Sequence, residues 1–253
     1  LIGEDRRDKK SVFLLTLLYT VFAYGAAATF ILGLITRILF YAGTPAPLKI
    51  ALTPAPTNII GAIFRVAGEV LFFKSLFKGN KWTWFGSYVF HGTLLLVILR
   101  HFRYFLYPVP SWIMDIQTIG VYAGYIFPLF ILYLFVRRTT VDRMLFISSV
   151  ADYFVLLLLF AIAFTGFLLS DYTRPYLVDI KAFTLGLMTF KFHAIPTEPL
   201  FLIHFSLVLI LLVYFPFSKL VHSCGIFFSP TLHQIDDCWK KRHINPWDTL
   251  KRH

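Results

Sequence analysis

Five stretches of this chain contain no Asp, Glu, Lys or Arg: residues 11–36, 82–99, 116–136, 153–170 and 199–218. Each is close to the roughly 20 apolar residues that an α-helix needs to cross about 30 Å of hydrocarbon. In lipid the backbone must satisfy its own hydrogen bonds, and separate apolar runs of this length do so as helices. The chain therefore reads as an all-α, polytopic membrane protein, a bundle of five transmembrane helices with spans at about 12–40, 82–106, 113–136, 146–170 and 199–222. Its 253 residues are 58% hydrophobic and only 15% charged. A soluble domain carries about 25% charged residues, so soluble enzyme classes are excluded.

The net charge of +11 does not point to nucleic acid. Its cations lie between and beyond the apolar runs, where a membrane protein carries its topology signal. The Ala-Ala-Ala at 26–28 could mark signal-peptide cleavage, but the apolar run continues past it and is too long for an h-region. Residues 44–57 hold four prolines and cannot form a regular helix. Asn58 can cap a helix from Ile59 to Phe77, apolar yet carrying Arg65, Glu69 and Lys74, with Arg65 and Glu69 paired four residues apart. Such a segment fits an interfacial amphipathic helix better than a sixth span. Residues 1–230 then form the membrane domain and 231–253 a basic tail. Cys224 and Cys238 follow the last run without metal-ligand spacing and read as free thiols.

Lys and Arg are enriched on the cytoplasmic side of membrane proteins. With the N-terminus outside and the C-terminus in the cytoplasm, fourteen of them fall inside and nine outside. The N-terminal tail, with Arg6, Arg7, Lys9 and Lys10, dissents from that assignment.

Eight histidines occur. His233, His243 and His253 lie in the polar tail and His193 in a loop. His91 and His101 belong to the second helix, His204 and His222 to the fifth. These two helices are an odd number of crossings apart, so they run antiparallel. His91 and His222 lie toward the inner side, His101 and His204 toward the outer side. At 1.5 Å per residue His91 and His101 are separated by roughly 15 Å along their helix, and His204 and His222 by roughly 27 Å on a continuous helix. The inequality demands tilt, or a His222 beyond the regular helix. Facing helices that present one imidazole to each side of a flat macrocycle can hold a low-spin haem, and two such pairs suit two haem b. Lys219, Arg100 and Arg103 are candidate partners for propionates. A histidine near a helix end can also simply snorkel to the interface. A proton relay, a transition-metal channel and a haem-free membrane anchor stay open. The first two usually recruit membrane-embedded carboxylates, and the five runs contain none.

The segments FHGTLLLVILRHF (90–102) and IHFSLVLILLVYFPFSKLVHS (203–223) resemble the haem-ligand helices of the gamma subunit of respiratory nitrate reductase. That resemblance implies five spans and two b-type haems, with His91 and His222 at the cytoplasmic haem and His101 and His204 at the outer one. Segment 49–81 is more similar to the cytochrome b subunit of the sulfite-reductase-linked transmembrane complex and its heterodisulfide-reductase-like relatives. This implies electron exchange between membrane quinone, menaquinone or ubiquinone, and a cytoplasmic iron–sulfur subunit. Further membrane and extracytoplasmic redox subunits, a prokaryotic cytoplasmic membrane and sulfite or sulfur metabolism follow from the same likeness. A gamma subunit of a nitrate-reductase-type complex is the alternative. The nitrate reductase family uses a glycine before the outer ligand and a lysine near the start of the third helix for quinone. Here Arg100 takes the first position and 106–125 holds no lysine. A quinone site is expected beside the outer haem near Arg103, Tyr104 and Asp115, residues that can equally serve propionates or anchor the interface. The basic inner loops, the tail and the surface helix form the expected docking face for the soluble partner.

Overall fold

The computed structural model describes residues 2–45, 51 and 53–237, with side chains from residue 9 onward. Lys49, Cys238 and the basic residues of 240–252 lie outside the described residues.

The chain opens with α1 (Ile2–Gly43). Its hydroxyls turn inward on their own helix: Thr16, Thr29 and Thr36 donate to the carbonyls of Val12, Gly25 and Leu32 at 2.7, 2.8 and 2.8 Å. An apolar helix can thus carry threonines without exposing an unpaired hydroxyl to lipid. After the proline segment, α2 (Ile59–Phe72) starts at Asn58, whose side chain accepts from Gly61 N at 2.7 Å.

The expected continuous helix over 59–77 is interrupted. Phe73 is left-handed, with φ 49°, and the chain restarts as α3 (Lys74–Gly79). Tertiary packing overrides the helical pattern here, because the Phe73 ring stands edge-on to Tyr88 and His91, with centroids 5.9 and 5.1 Å away. Trp84 Nε1 donates to the freed Phe72 carbonyl at 2.8 Å. Glu69 accepts from Ser75 N and Oγ at 3.0 and 2.6 Å and so ties α2 to α3.

There follow α4 (Lys81–Phe105), α5 (Ser111–Asp115), α6 (Gln117–Thr140), α7 (Asp142–Phe146), α8 (Val150–Leu168), α9 (Leu177–Thr189) and α10 (Pro199–Tyr214). Asn80 caps α4 by accepting from Thr83 N at 2.9 Å. A Ser149–Asp152 capping box starts α8, and one π-helical turn, Leu169–Thr173, extends it. Among the described residues, five helices are long and apolar enough to cross a membrane: Lys9–Gly43, Lys81–Phe105, Gln117–Thr140, Val150–Thr173 and Pro199–Phe217. The third starts later than 113 because Ser111–Asp115 forms a separate turn around the fully buried Ile113.

The fifth span does not continue to 222 as one helix. Pro216 lacks an N–H and Ser218 is extended, so α10 gives way to 3-10 turns at Phe215–Phe217 and Lys219–Val221. His222 then opens a four-residue turn, α11 (His222–Gly225). The five-turn separation of His204 and His222 therefore does not hold, and the unequal histidine spacing is absorbed by this break. Cys224 Sγ faces the Val221 carbonyl at 3.2 Å as a free thiol. Beyond it, α12 (Pro230–His233) packs on α2, and Asp236 N donates to Pro56 O at 2.8 Å.

The extensive helix contacts run from α4 to α6, α6 to α8, α8 to α10 and α10 to α1. The two histidine-bearing helices thus stand at the two ends of a four-helix arc and face each other across its seam. One core, Phe90, Phe127, Ile131, Leu156 and Leu159, fills the arc from α4, α6 and α8. A second, Phe183, Ile195 and Phe201, lies under α9 at the opposite end. There the fully buried Thr16 accepts from Ile195 N at 3.1 Å and fixes the loop that leads into α10.

Candidate functional site

The seam between α4 and α10 holds two cavities at different depths. The one expected to face inward is lined by Phe90 and His91 of α4, Arg138 of α6, Asp152, Leu156 and Leu159 of α8, and Tyr214, Lys219 and His222 from the end of the fifth span. His91 and His222 face each other with ring centroids 6.1 Å apart and planes at 87°. Two metal–imidazole bonds of about 2.0–2.1 Å, with the ring radii beyond them, put centroids roughly 6 Å apart. The separation is therefore that of two imidazoles able to bind one metal from opposite sides.

The outer cavity is lined by Arg100, His101, Arg103, Tyr104 and Phe105 of α4, Gly166 and Leu169 of the fourth span, Arg174, residues of α9, and Phe201, His204 and Phe205 of α10. Both members of the second expected pair, His101 and His204, thus reach one cavity.

Each of the four imidazoles has its Nδ1 engaged. His91 Nδ1 lies 2.7 Å from Ser87 O, His101 Nδ1 2.6 Å from Val97 O, and His222 Nδ1 2.8 Å from Lys219 O. Carbonyls only accept, so these three nitrogens carry the proton. His204 Nδ1 lies 2.9 Å from Thr165 Oγ1, whose own proton goes to the Ala161 carbonyl at 2.7 Å. The hydroxyl oxygen then accepts from His204. In all four rings Nε2 is left as the basic nitrogen, the arrangement in which a second-shell bond fixes tautomer and orientation of a metal ligand. Gly166 belongs to the same design: a Cβ there would come within 3.2 Å of His204 Cε1.

These residues fit b-type haem: paired imidazoles, flat aromatic and aliphatic walls, and cations at the rim. Among the lining residues, the outer cavity has three arginines, Arg100, Arg103 and Arg174, and no acid. Arg103 donates to Gln117 Oε1 at 3.0 Å and stands over the Tyr104 ring at 5.6 Å. Arg100 Nε is buried without a protein partner. Asp115 is exposed at the end of α5 and does not line this cavity. In the inner cavity Lys219 is joined by Arg138 and by the buried Asp152, two residues the histidine spacings did not bring forward. The signal for Asp152 was its place in Ser149-x-x-Asp152, which reads only as a helix start.

A second acid, Asp171, lies in the π-helical turn beside the outer cavity and accepts from Tyr125 Oη at 3.0 Å. Carboxylates therefore stand at both ends of the fourth span, just outside its charge-free run.

Comparison with known proteins follows the same lines. Residues 57–235 match the nitrate reductase gamma subunit family. The Hdr-like menaquinol oxidoreductase cytochrome b-like subunit of Archaeoglobus fulgidus is 36% identical over 272 residues, covering 89% of this chain and 81% of that protein. Its counterpart in Archaeoglobus profundus is 30% identical over 283 residues, covering 91% and 83%. With the match spanning the whole seam and both histidine pairs, this chain belongs to the nitrate reductase gamma subunit family.

Proposed function

We propose that this protein is the di-haem cytochrome b subunit of a membrane complex that moves electrons between menaquinol and a heterodisulfide-reductase-like iron–sulfur subunit in the cytoplasm. The observation that carries the reading is the pairing of four imidazoles at two depths of one seam, each with Nδ1 engaged and Nε2 basic. His91 and His222 would hold the inner haem b, His101 and His204 the outer one. Bound there, the haems would supply one-electron carriers spaced along the membrane normal.

The chain's own residues set the conditions. The carbonyls of Ser87, Val97 and Lys219 and the Thr165 hydroxyl hold the imidazoles in the ligating tautomer. Arg100, Arg103 and Arg174 offer charge to propionates at the outer rim, Arg138 and Lys219 at the inner. With two imidazoles committed to each haem, no place would be left for oxygen, which suits transfer rather than oxygen chemistry. The names of the Archaeoglobus relatives support menaquinol as the quinone and an Hdr-like partner. The sequence of 49–81 supports an acceptor in sulfite or sulfur metabolism. The fourteen basic residues on one side support an N-terminus outside and a cytoplasmic docking face built from α2, the inner loops and the tail. Quinol would bind beside the outer haem, near Arg103 and Tyr104.

The test is reduction of the purified subunit, in detergent, by a short-chain menaquinol analogue under anaerobic conditions. The reading expects reduction of the b-type spectrum, and faster reduction of the haem that is lost on replacing His101. A dithionite-reducible haem spectrum that menaquinol leaves untouched would overturn the quinone assignment.

A further inference from the structure

We propose that Asp152 is a positioning residue for the inner histidine pair, acting on His222 through Lys219. The inference rests on the haem-binding reading above and goes beyond it.

Asp152 is the only carboxylate among the described residues lining the inner cavity, and its side chain is 5% exposed. Its Oδ2 accepts from Lys219 Nζ at 2.8 Å, from Ser149 N at 2.9 Å and from Ser149 Oγ at 3.0 Å. Arg138, held by Ser148 Oγ at 2.7 Å, brings its guanidinium to 3.8 Å. The first turn of α8 therefore gathers cations from the third and fifth spans onto one buried oxygen.

Lys219 carries two links at once. Its ammonium reaches Asp152, and its carbonyl receives His222 Nδ1 at 2.8 Å. The need for a tether is local. His91, His101 and His204 sit within long regular helices, whose hydrogen-bond ladders fix their backbones. His222 follows the interruption at Pro216 and Ser218 and hangs on a three-residue 3-10 turn. Among the described residues, two side-chain bonds reach this stretch from other helices: Arg37 Nε to the Pro216 carbonyl at 3.0 Å, and Asp152 to Lys219. The second acts directly on the residue that orients the imidazole.

An exposed ammonium contributes little to stability, and Lys219 is 70% exposed. Its pairing with a nearly buried carboxylate instead fixes where the turn lies against α8. A capping role alone would make Asp152 important to α8 and indifferent to the haem. The two roles separate experimentally. Asp152→Asn keeps an oxygen for Ser149 N but loses the charge that holds Lys219. Lys219→Met removes the ammonium and leaves the capping box untouched.

The experiment uses the full-length protein with its haems. The low-spin ferric EPR signals and midpoint potentials of the two haems are recorded for D152N, K219M and D152N/K219M. The inner haem is identified as the one missing from His91→Ala. Positioning through Lys219 predicts the same displacement of the inner signal and potential in both single variants, no further change in the double, and an unmoved outer haem. An inner haem indistinguishable from wild type in K219M, or singles that add in the double, would overturn it. Where D152N fails to fold, an unmoved inner haem in K219M is by itself enough to overturn the role. Wild-type protein without haem would overturn the underlying reading together with this inference, whereas two haems with an unmoved inner signal would overturn the role of Asp152 alone.

Discussion

Thr165 supplies the one bond to a candidate ligand that a side-chain substitution can delete, and Thr165→Val tests what that bond does. Three of the four histidines lean on backbone carbonyls, but His204 Nδ1 rests 2.9 Å from Thr165 Oγ1. Valine preserves the shape and leaves the part-buried His204 N–H without its hydroxyl acceptor. Such a loss costs about 1–3 kcal/mol. At about 1.4 kcal/mol per tenfold, this corresponds to roughly 5- to 150-fold weaker ligation, in line with the 10- to 100-fold effect typical of second-shell losses. Haem transfer from the detergent-purified protein to excess apomyoglobin reads this directly. One of the two haems should leave faster by about that factor, and it should be the one absent from His101→Ala. The other haem is the internal control. Unchanged transfer from both sites, with an unaltered outer EPR signal, would refute the argument that Thr165 fixes His204 as a ligand.

Gly166→Ala brings a Cβ within 3.2 Å of His204 Cε1, so outer-haem content should fall, and Gly166→Leu should abolish it while the inner haem stays, as read by difference spectra. Thr16→Val removes the acceptor for Ile195 N in a fully buried position. It should cost about 1–3 kcal/mol, seen as a lower midpoint of thermal unfolding in detergent without a change in either haem spectrum. Glu69→Ala frees Ser75 N and Oγ. It should raise protease susceptibility at the Phe73 break and leave the haems unaffected.

What the amino-acid order reveals depends on whether a feature is local. The five spans are legible because charge is absent over a whole membrane thickness. The facing histidines are legible because an odd number of crossings makes the second and fifth helices antiparallel. The capping residues Asn58 and Ser149 are local as well. Asp152 and Lys219, by contrast, lie 67 residues apart, and nothing in either neighbourhood announces the other. Thr165 and Gly166 look like ordinary small residues of an apolar helix until α10 places His204 against them. The break at Phe73 is set by ring packing against Tyr88 and His91, a tertiary effect that a helical period cannot display. The end of α10 does carry a local signal, Pro216, a residue without an N–H that lies inside the charge-free run ending at Ser218. Asp115 shows the converse error: nearness in sequence to the outer ligand did not bring it to the cavity.

The claim on which all of this depends is that two histidine pairs each hold a haem b, and pyridine haemochrome quantitation per chain of purified protein tests it most directly. Two haem b are expected in the wild type and one in either His91→Ala or His101→Ala, with different reduced-minus-oxidised spectra remaining in the two variants. A wild-type protein with fewer than two haems, or a single substitution that removes both, would contradict it.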